Sequence, residues 1–216
     1  MPIIGVSASP IVNGNTDRMI RYVLNKSCKE HLFVNLTTLR FDPCRACAHL
    51  CARTNMCPLD DDLKPYLEAI MDAEALVLGT PVNAGNVNAW MFSFISRLWC
   101  FHHIKNLLAD RPMVFVLTSL FQAQGQLALN RFRQLLIDWN WRVNLIGHVC
   151  YVSAIPPCFK CGVGRKCRIG ELWKYVEGDE EKLKCFTVKK DMFHRWEDDP
   201  LTISRLDECS IALSQL

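Results

Sequence analysis

Five apolar runs of strand length alternate with stretches of helical spacing, and that rhythm restricts the fold of this chain more than any other feature. The runs are residues 3–7, 32–36, 75–78, 113–118 and 142–151. Helical spacing follows in 18–28, where Met19, Ile20, Val23 and Leu24 share a face, and again in 63–71, 89–107 and 127–139. The strands are continuously apolar, as in a parallel sheet covered on both faces. Strand-then-helix repetition of this kind predicts an α/β, doubly wound sheet of five parallel strands in the order 2-1-3-4-5. A chain of 216 residues suits one such domain, read as residues 1–155, with an extension over 156–216.

Two segments break the rhythm, and both are rich in cysteine. Residues 41–62 hold four cysteines and residues 156–170 hold three more, out of 12 in the chain. The N-terminus has no basic segment ahead of an apolar core, which argues against a secretory signal. No run reaches the roughly 18 apolar residues of a membrane span. A cytoplasmic location is therefore expected, where clustered thiols serve as metal or redox ligands rather than disulfides. A formal net charge of +3 gives no general attraction to nucleic acid or to an acidic membrane. Beyond Trp173 the chain turns polar, and an irregular extension ending in a helix near 201–213 is expected.

Three loops fall at the carboxyl edge of the predicted sheet, where ligands sit in this architecture. The first runs Ser7-Ala8-Ser9-Pro10-Ile11-Val12-Asn13-Gly14-Asn15-Thr16 into a helix. Hydroxyls, amides and a helix N-terminus suit a phosphate, although the same residues also make a plain N-capped turn. There is no Gly-x-Gly-x-x-Gly and no Gly-Lys-Ser/Thr. The second loop is Gly79-Thr80-Pro81-Val82-Asn83-Ala84-Gly85-Asn86-Val87-Asn88, and the third spans 119–126, beginning at Ser119.

Cys44, Cys47, Cys51 and Cys57 follow the spacing Cys-x2-Cys-x3-Cys-x5-Cys-Pro. Four thiols this close can wrap one metal centre, and a proline after the last ligand recurs in ferredoxin-type runs. Zinc prefers paired knuckles with a long spacer, so the short spacer favours a [4Fe–4S] cluster over zinc. Cys158, Cys161 and Cys167 form a second group, with Cys150 or Cys185 as a candidate fourth ligand. It reads either as a second cluster site or as a reduced structural loop. Its lysines and arginines offer a dock for an acidic electron carrier. Cys28, Cys100 and Cys209 lie in helical patterns and are expected to be buried. His102 and His103 are adjacent, about 100° apart on a helix, and are not expected to share a metal. Trp90, Phe94 and Trp99 are expected in the core or at a subunit interface.

Three stretches together resemble the iron–sulfur flavoprotein family of the NADPH-dependent FMN reductase group. They are Ser-Ala-Ser-Pro…Asn-Gly-Asn-Thr, Thr-Pro-Val-Asn-Ala-Gly-Asn-Val…Phe-Ile-Ser-Arg, and the first cysteine segment. The likeness covers roughly residues 3–135. It implies a flavodoxin-like fold and FMN with its phosphate on Ser7, Ser9, Asn15 and Thr16. Pro81, Val82, Asn83, Ala84 and Gly85 would lie against the flavin ring, with Ser119 on the neighbouring loop. It further implies a homodimer or homotetramer. Two departures stand out: Ile11 replaces an arginine usual in the family, and one extra residue separates Cys47 from Cys51. The function expected is electron transfer between FMN and the cluster, linking a two-electron partner such as NAD(P)H to a one-electron carrier such as ferredoxin. No residue stands out as a proton-transfer base, and neither a nucleic-acid partner nor a membrane is expected. An NAD(P)H-dependent FMN, quinone or nitro-compound reductase with structural cysteines is the second reading, and a non-enzymatic zinc module the third.

Overall fold

Successive residues of the central strands sort to opposite faces of one sheet, as a period of two requires. On β1 (Ile3–Ser7), Ile4 and Val6 enter one core and Ile3 the other. On β3 (Ala75–Asn83), Leu76 and Leu78 join the first core while Ala75 and Val77 join the second. β5 (Pro112–Ser119) repeats this with Met113, Phe115 and Leu117 against Val114 and Val116. Burial on both faces is the reason these strands read as unbroken apolar runs. The computed structural model describes residues 1–139, 141–153, 161–189 and 195–216.

With β2 (His31–Asn35) and β6 (Asn144–Val152), the parallel order is β2-β1-β3-β5-β6. The two-residue β4 (Asn86–Val87) pairs antiparallel with β3 alone. Leaving β4 aside, this is the expected order, and the fold is flavodoxin-like. Helices α1 (Asn15–Lys26) and α8 (Pro200–Ser214) cover one face. On the other lie α3 (Lys64–Met71), α4 (Ala89–Arg97) and α5 (Gln122–Arg133), with the short α2 (Ala48–Cys51) in the cysteine segment. Phe115 and Phe132 stack at 4.3 Å beneath α5. Two short helices, α6 (Glu171–Tyr175) and α7 (Glu180–Cys185), share a small cluster of Leu172, Val176 and Leu183. No helix among the described residues is long and apolar enough to cross a membrane.

Four local expectations are corrected. The helix expected over 89–107 stops at Arg97 and tightens into a 3-10 turn, Leu98–Phe101. The Leu98 carbonyl, which a continuing helix would offer to His102, instead accepts the Trp141 indole N–H at 3.2 Å. The His102 N–H turns to Trp99 O. The loop expected after residue 78 is largely strand: β3 runs on to Asn83 and returns as β4 through Ala84 (φ 50°) and Gly85 (φ 70°). Two positive φ angles in succession match the twist of a tight hairpin. The loop expected over 119–126 shrinks to residues 120 and 121, because α5 starts at Gln122. Cys28 is exposed, not buried, since it follows the last turn of α1 with φ 58°. Cys100 and Cys209 are buried as expected, and so is Phe94, whereas Trp90 and Trp99 are exposed.

Candidate functional site

The loop from β1 to α1 is fastened from behind by Asp17, a wholly buried carboxylate. It accepts the Ser7 hydroxyl, the Asn13 N–H at 2.9 Å and the Asn35 amide at 3.1 and 3.2 Å. Ser7 is itself buried, so its hydroxyl shapes the loop from within. Ser9 Oγ closes a turn, donating to Ile11 O at 3.0 Å and accepting Ile11 N–H at 3.2 Å. Thr16 Oγ1 meets Thr118 Oγ1 at 3.0 Å, and Asn15 Nδ2 donates to Ser153 Oγ at 3.3 Å. Gly14 precedes α1 and no side chain caps the helix. The first-turn amides therefore suit an outside anion, with the helix dipole in its favour. That arrangement fits a flavin phosphate, held by backbone N–H groups on a loop that the predicted side chains stiffen.

The β3–β4 hairpin stands beside this loop. Pro81 and Val82 are half-buried, Asn83 and Ala84 are exposed, and Gly85 is buried. A side chain at Gly85 would strike Leu127 on α5. Asn88 locks the parts together. Its Oδ1 caps α4 by accepting Met91 N–H at 3.0 Å, its Nδ2 donates to Ala8 O, and its own N–H bonds Thr80 Oγ1 at 3.2 Å. Ser119 is buried with its hydroxyl on Phe121 O at 3.0 Å. The three expected loops thus converge at the carboxyl edge, around a common frame.

The far end of α4 holds the first cysteine segment. Ser96 Oγ accepts the Cys44 N–H at 3.0 Å. Arg97, with no exposed side-chain surface, donates Nε–H to Cys57 Sγ at 3.1 Å and pairs with Asp61 at 2.6 Å. Burial works against its charge, but Asp61 and Cys57 outweigh that and hold Arg97 above its ordinary value. Ala46 N–H reaches Cys44 Sγ at 3.4 Å, and His103 Nε2 lies 3.0 Å from Cys51 Sγ. Burial, then the neighbouring Cys47, Cys57 and Cys44, pushes the Cys51 thiol up. Burial and Cys57 likewise push Cys100 up to about 12. A largely apolar cavity of about 360 Å³ opens beside Cys44 and Cys51, walled by Ala46, Ala48, Ser96, Trp99 and Trp141. N–H donors aimed at sulfur and a space bordered by thiols are features that a thiolate-bound cluster uses. No three metal-ligating groups converge among the described residues.

In the second group, Cys158 lies outside the described residues. Cys161 is exposed, and Cys167 is half-buried with Sγ accepting Gly170 N–H at 3.1 Å. Of the candidate fourth ligands, Cys150 is half-buried on β6 and Cys185 is exposed on α7. Three contributors escaped the sequence reading. Nothing in the local pattern singles out Asp17, and Arg97 enters it only as the last residue of the Phe-Ile-Ser-Arg stretch. His103 was set aside for its neighbour, and no local signal links it to a thiol 52 positions away.

Parallel sheet, carboxyl-edge loops and an uncapped first helix define a flavodoxin-like α/β protein whose first loop suits an anion. The chain belongs to the NADPH-dependent FMN reductase family, whose model matches residues 1–154. It is 33% identical over 100 residues to an iron–sulfur flavoprotein of Methanocaldococcus jannaschii, covering 45% of this chain and 51% of that one. An iron–sulfur flavoprotein of Methanosarcina thermophila is 30% identical over 101 residues, covering 45% and 52%. This chain thus spans about half the length of these curated relatives. Among solved structures, an oxidoreductase from Corynebacterium diphtheriae superposes with a TM-score of 0.58 at 11% identity, over 100% of this chain and 96% of that one. A NADH:FMN oxidoreductase in its apo form gives 0.53 at 15% identity, over 93% and 97%. At such identities these two likenesses speak for the fold.

Proposed function

We propose that this chain is an FMN-dependent oxidoreductase of the iron–sulfur flavoprotein kind, holding FMN at the sheet edge and one [4Fe–4S] cluster on Cys44, Cys47, Cys51 and Cys57. The observation that carries this reading is the placement of α4. Its capping residue, Asn88, bonds both Met91 N–H and the Ala8 carbonyl of the first loop, and its last turn is tied to the cysteine segment through Ser96 and Arg97. Nine helical residues span about 13 Å, so one rigid helix ties the two segments together. FMN supplies chemistry in one- or two-electron steps, and the cluster in single electrons.

The residues supply the rest. First-turn amides of α1 hold the phosphate, the hairpin Pro81–Gly85 lies against the ring, and Asp17 and Asn88 keep both in register. Cys51 and Cys57 are buried, and Trp99 and Trp141 wall the cavity beside Cys51. No side chain at this edge is needed as a proton-transfer base. NAD(P)H and a ferredoxin-like carrier are the proposed partners, in a homodimer or homotetramer, within a reducing compartment such as the cytoplasm. Cys161 and Cys167, with Cys158, form the candidate second site. One observation favours the second reading, an NAD(P)H-dependent reductase with FMN alone: the four thiols do not form a closed ligand set among the described residues.

A visible absorption spectrum of anaerobically purified protein, with iron and sulfide counts, decides between them. Flavin peaks over a broad iron–sulfur band, with about four iron per chain, support the cluster. Flavin alone supports the second reading, and a colourless zinc protein overturns both. Cys51→Ser should lose iron and retain FMN; unchanged iron would reject the ligand set.

A further inference from the structure

Arg97 is an expensive residue to keep where it is. Its side chain is fully enclosed, and a buried guanidinium must recover its hydration from protein partners. The partners are Asp61, at 2.6 Å from Nη1 and 3.3 Å from Nη2, the Asp42 carbonyl at 2.9 Å from Nη1, and Cys57 Sγ at 3.1 Å from Nε. Asp61 also accepts the Leu63 N–H at 3.2 Å, just ahead of α3. A neutral side chain could tie the cysteine segment to α4 without the cost of burying a charge. Here a cation is placed against the sulfur, and a single carboxylate stands behind it.

We infer that Arg97 is a positioning residue that sets the reduction potential of the group bound by Cys57, and that Asp61 moderates it. This rests on the cluster reading above. An N–H donor and a positive charge at a ligand sulfur favour the more negative, reduced state of a cluster, and therefore raise its potential. Asp61 offsets part of that charge. The two residues thus act in opposite directions on one group. A residue that only pinned the loop would give no such opposition, because losing either end of the Arg97–Asp61 pair would loosen the same segment. On the same reading the flavin would lie toward the other end of α4 and serve as an internal reference.

The test compares anaerobic, cluster-loaded wild type with Arg97→Gln, Arg97→Lys and Asp61→Asn. Iron, sulfide and FMN are counted, and cluster and flavin potentials are titrated separately by electron paramagnetic resonance and absorbance. Arg97→Gln should shift the cluster potential to more negative values, with the flavin potential unmoved. Arg97→Lys should recover part of that shift, since it restores charge without the planar Nε–H. Asp61→Asn should shift the cluster potential the opposite way. An Arg97→Gln protein with full iron and a wild-type potential overturns the inference, as do shifts of the same sign in Arg97→Gln and Asp61→Asn. Should Arg97→Gln lose its iron while keeping FMN, Asp61→Asn decides alone: a positive shift supports the inference and any other result overturns it. A wild type without iron overturns the cluster reading and this inference together, whereas iron with wrong-signed shifts overturns only this one.

Discussion

Replacing Asp17 with alanine should unfasten the phosphate loop and cost stability at the same time. Of its hydrogen-bond donors, the buried Ser7 hydroxyl would lose its acceptor and the buried Asn35 amide would keep only the Ser9 carbonyl, stranding one N–H, while the exposed Asn13 could turn to water. Each stranded buried donor costs about 1–3 kcal/mol, so the loss should be about 4 kcal/mol. For a chain of this size each kcal/mol moves the melting temperature by about 2–4 °C, giving a drop of about 8–16 °C. Asp17→Asn keeps one acceptor oxygen and should fall by less, about 1–3 kcal/mol. The assay is thermal unfolding by circular dichroism, paired with FMN affinity from quenching of flavin fluorescence. Affinity should weaken in both variants, more in Asp17→Ala, because Asn13 and Ser7 lose both acceptor oxygens there and one of the two in Asp17→Asn. A melting temperature within about 2 °C of wild type, or FMN affinity unchanged beside a lowered melting temperature, would refute the reasoning.

Gly79→Val should destabilise by about 1–3 kcal/mol through overpacking, since a side chain there meets Ile20 and Thr16 of α1; chemical denaturation measures it. Phe132→Ala, which empties the stack on Phe115, should cost about 3–5 kcal/mol in the same experiment. Burial, with Glu208 beside it, pushes the Cys209 thiol from 9.0 up to about 12. The unfolded thiol ionises first, so this contribution is complete below pH 9 and is lost as pH rises toward 12. The loss is roughly 1.4 kcal/mol per pH unit. Cys209→Ala should therefore show a flatter decline of stability above pH 9 in urea unfolding, and an equally steep decline would contradict the assignment.

The sheet order was legible because burial on both faces writes itself into continuous apolar runs such as 75–78 and 113–118. The carboxyl-edge loops were legible for a related reason, since small polar residues gather where those runs stop. Their internal shape was not. Ala84 adopts a positive φ with no residue-type signature, so a hairpin looked like a loop. The end of α4 depended on an indole from residue 141 taking the Leu98 carbonyl, a partner that local spacing cannot reveal. In the cysteine segment the spacing named the thiols but not what surrounds them. Arg97 and His103 reach Cys57 and Cys51 across 40 and 52 positions, and only the tertiary fold brings them there.

The order in which the two faces of the sheet are covered has a consequence for synthesis on the ribosome. Helices α3, α4 and α5 arrive between the strands they pack against, so that face can close as the chain emerges. The opposite face has α1 early, but it waits for α8, whose Leu206, Cys209 and Leu213 rest on the same core as Val149 and Tyr151 of β6. Both cysteine segments leave the ribosome before that helix does. The thiols of residues 44–57 are thus made before β3, β5 and β6, and a nascent chain stalled before residue 200 would leave the part of that face awaiting α8 bare to chaperones.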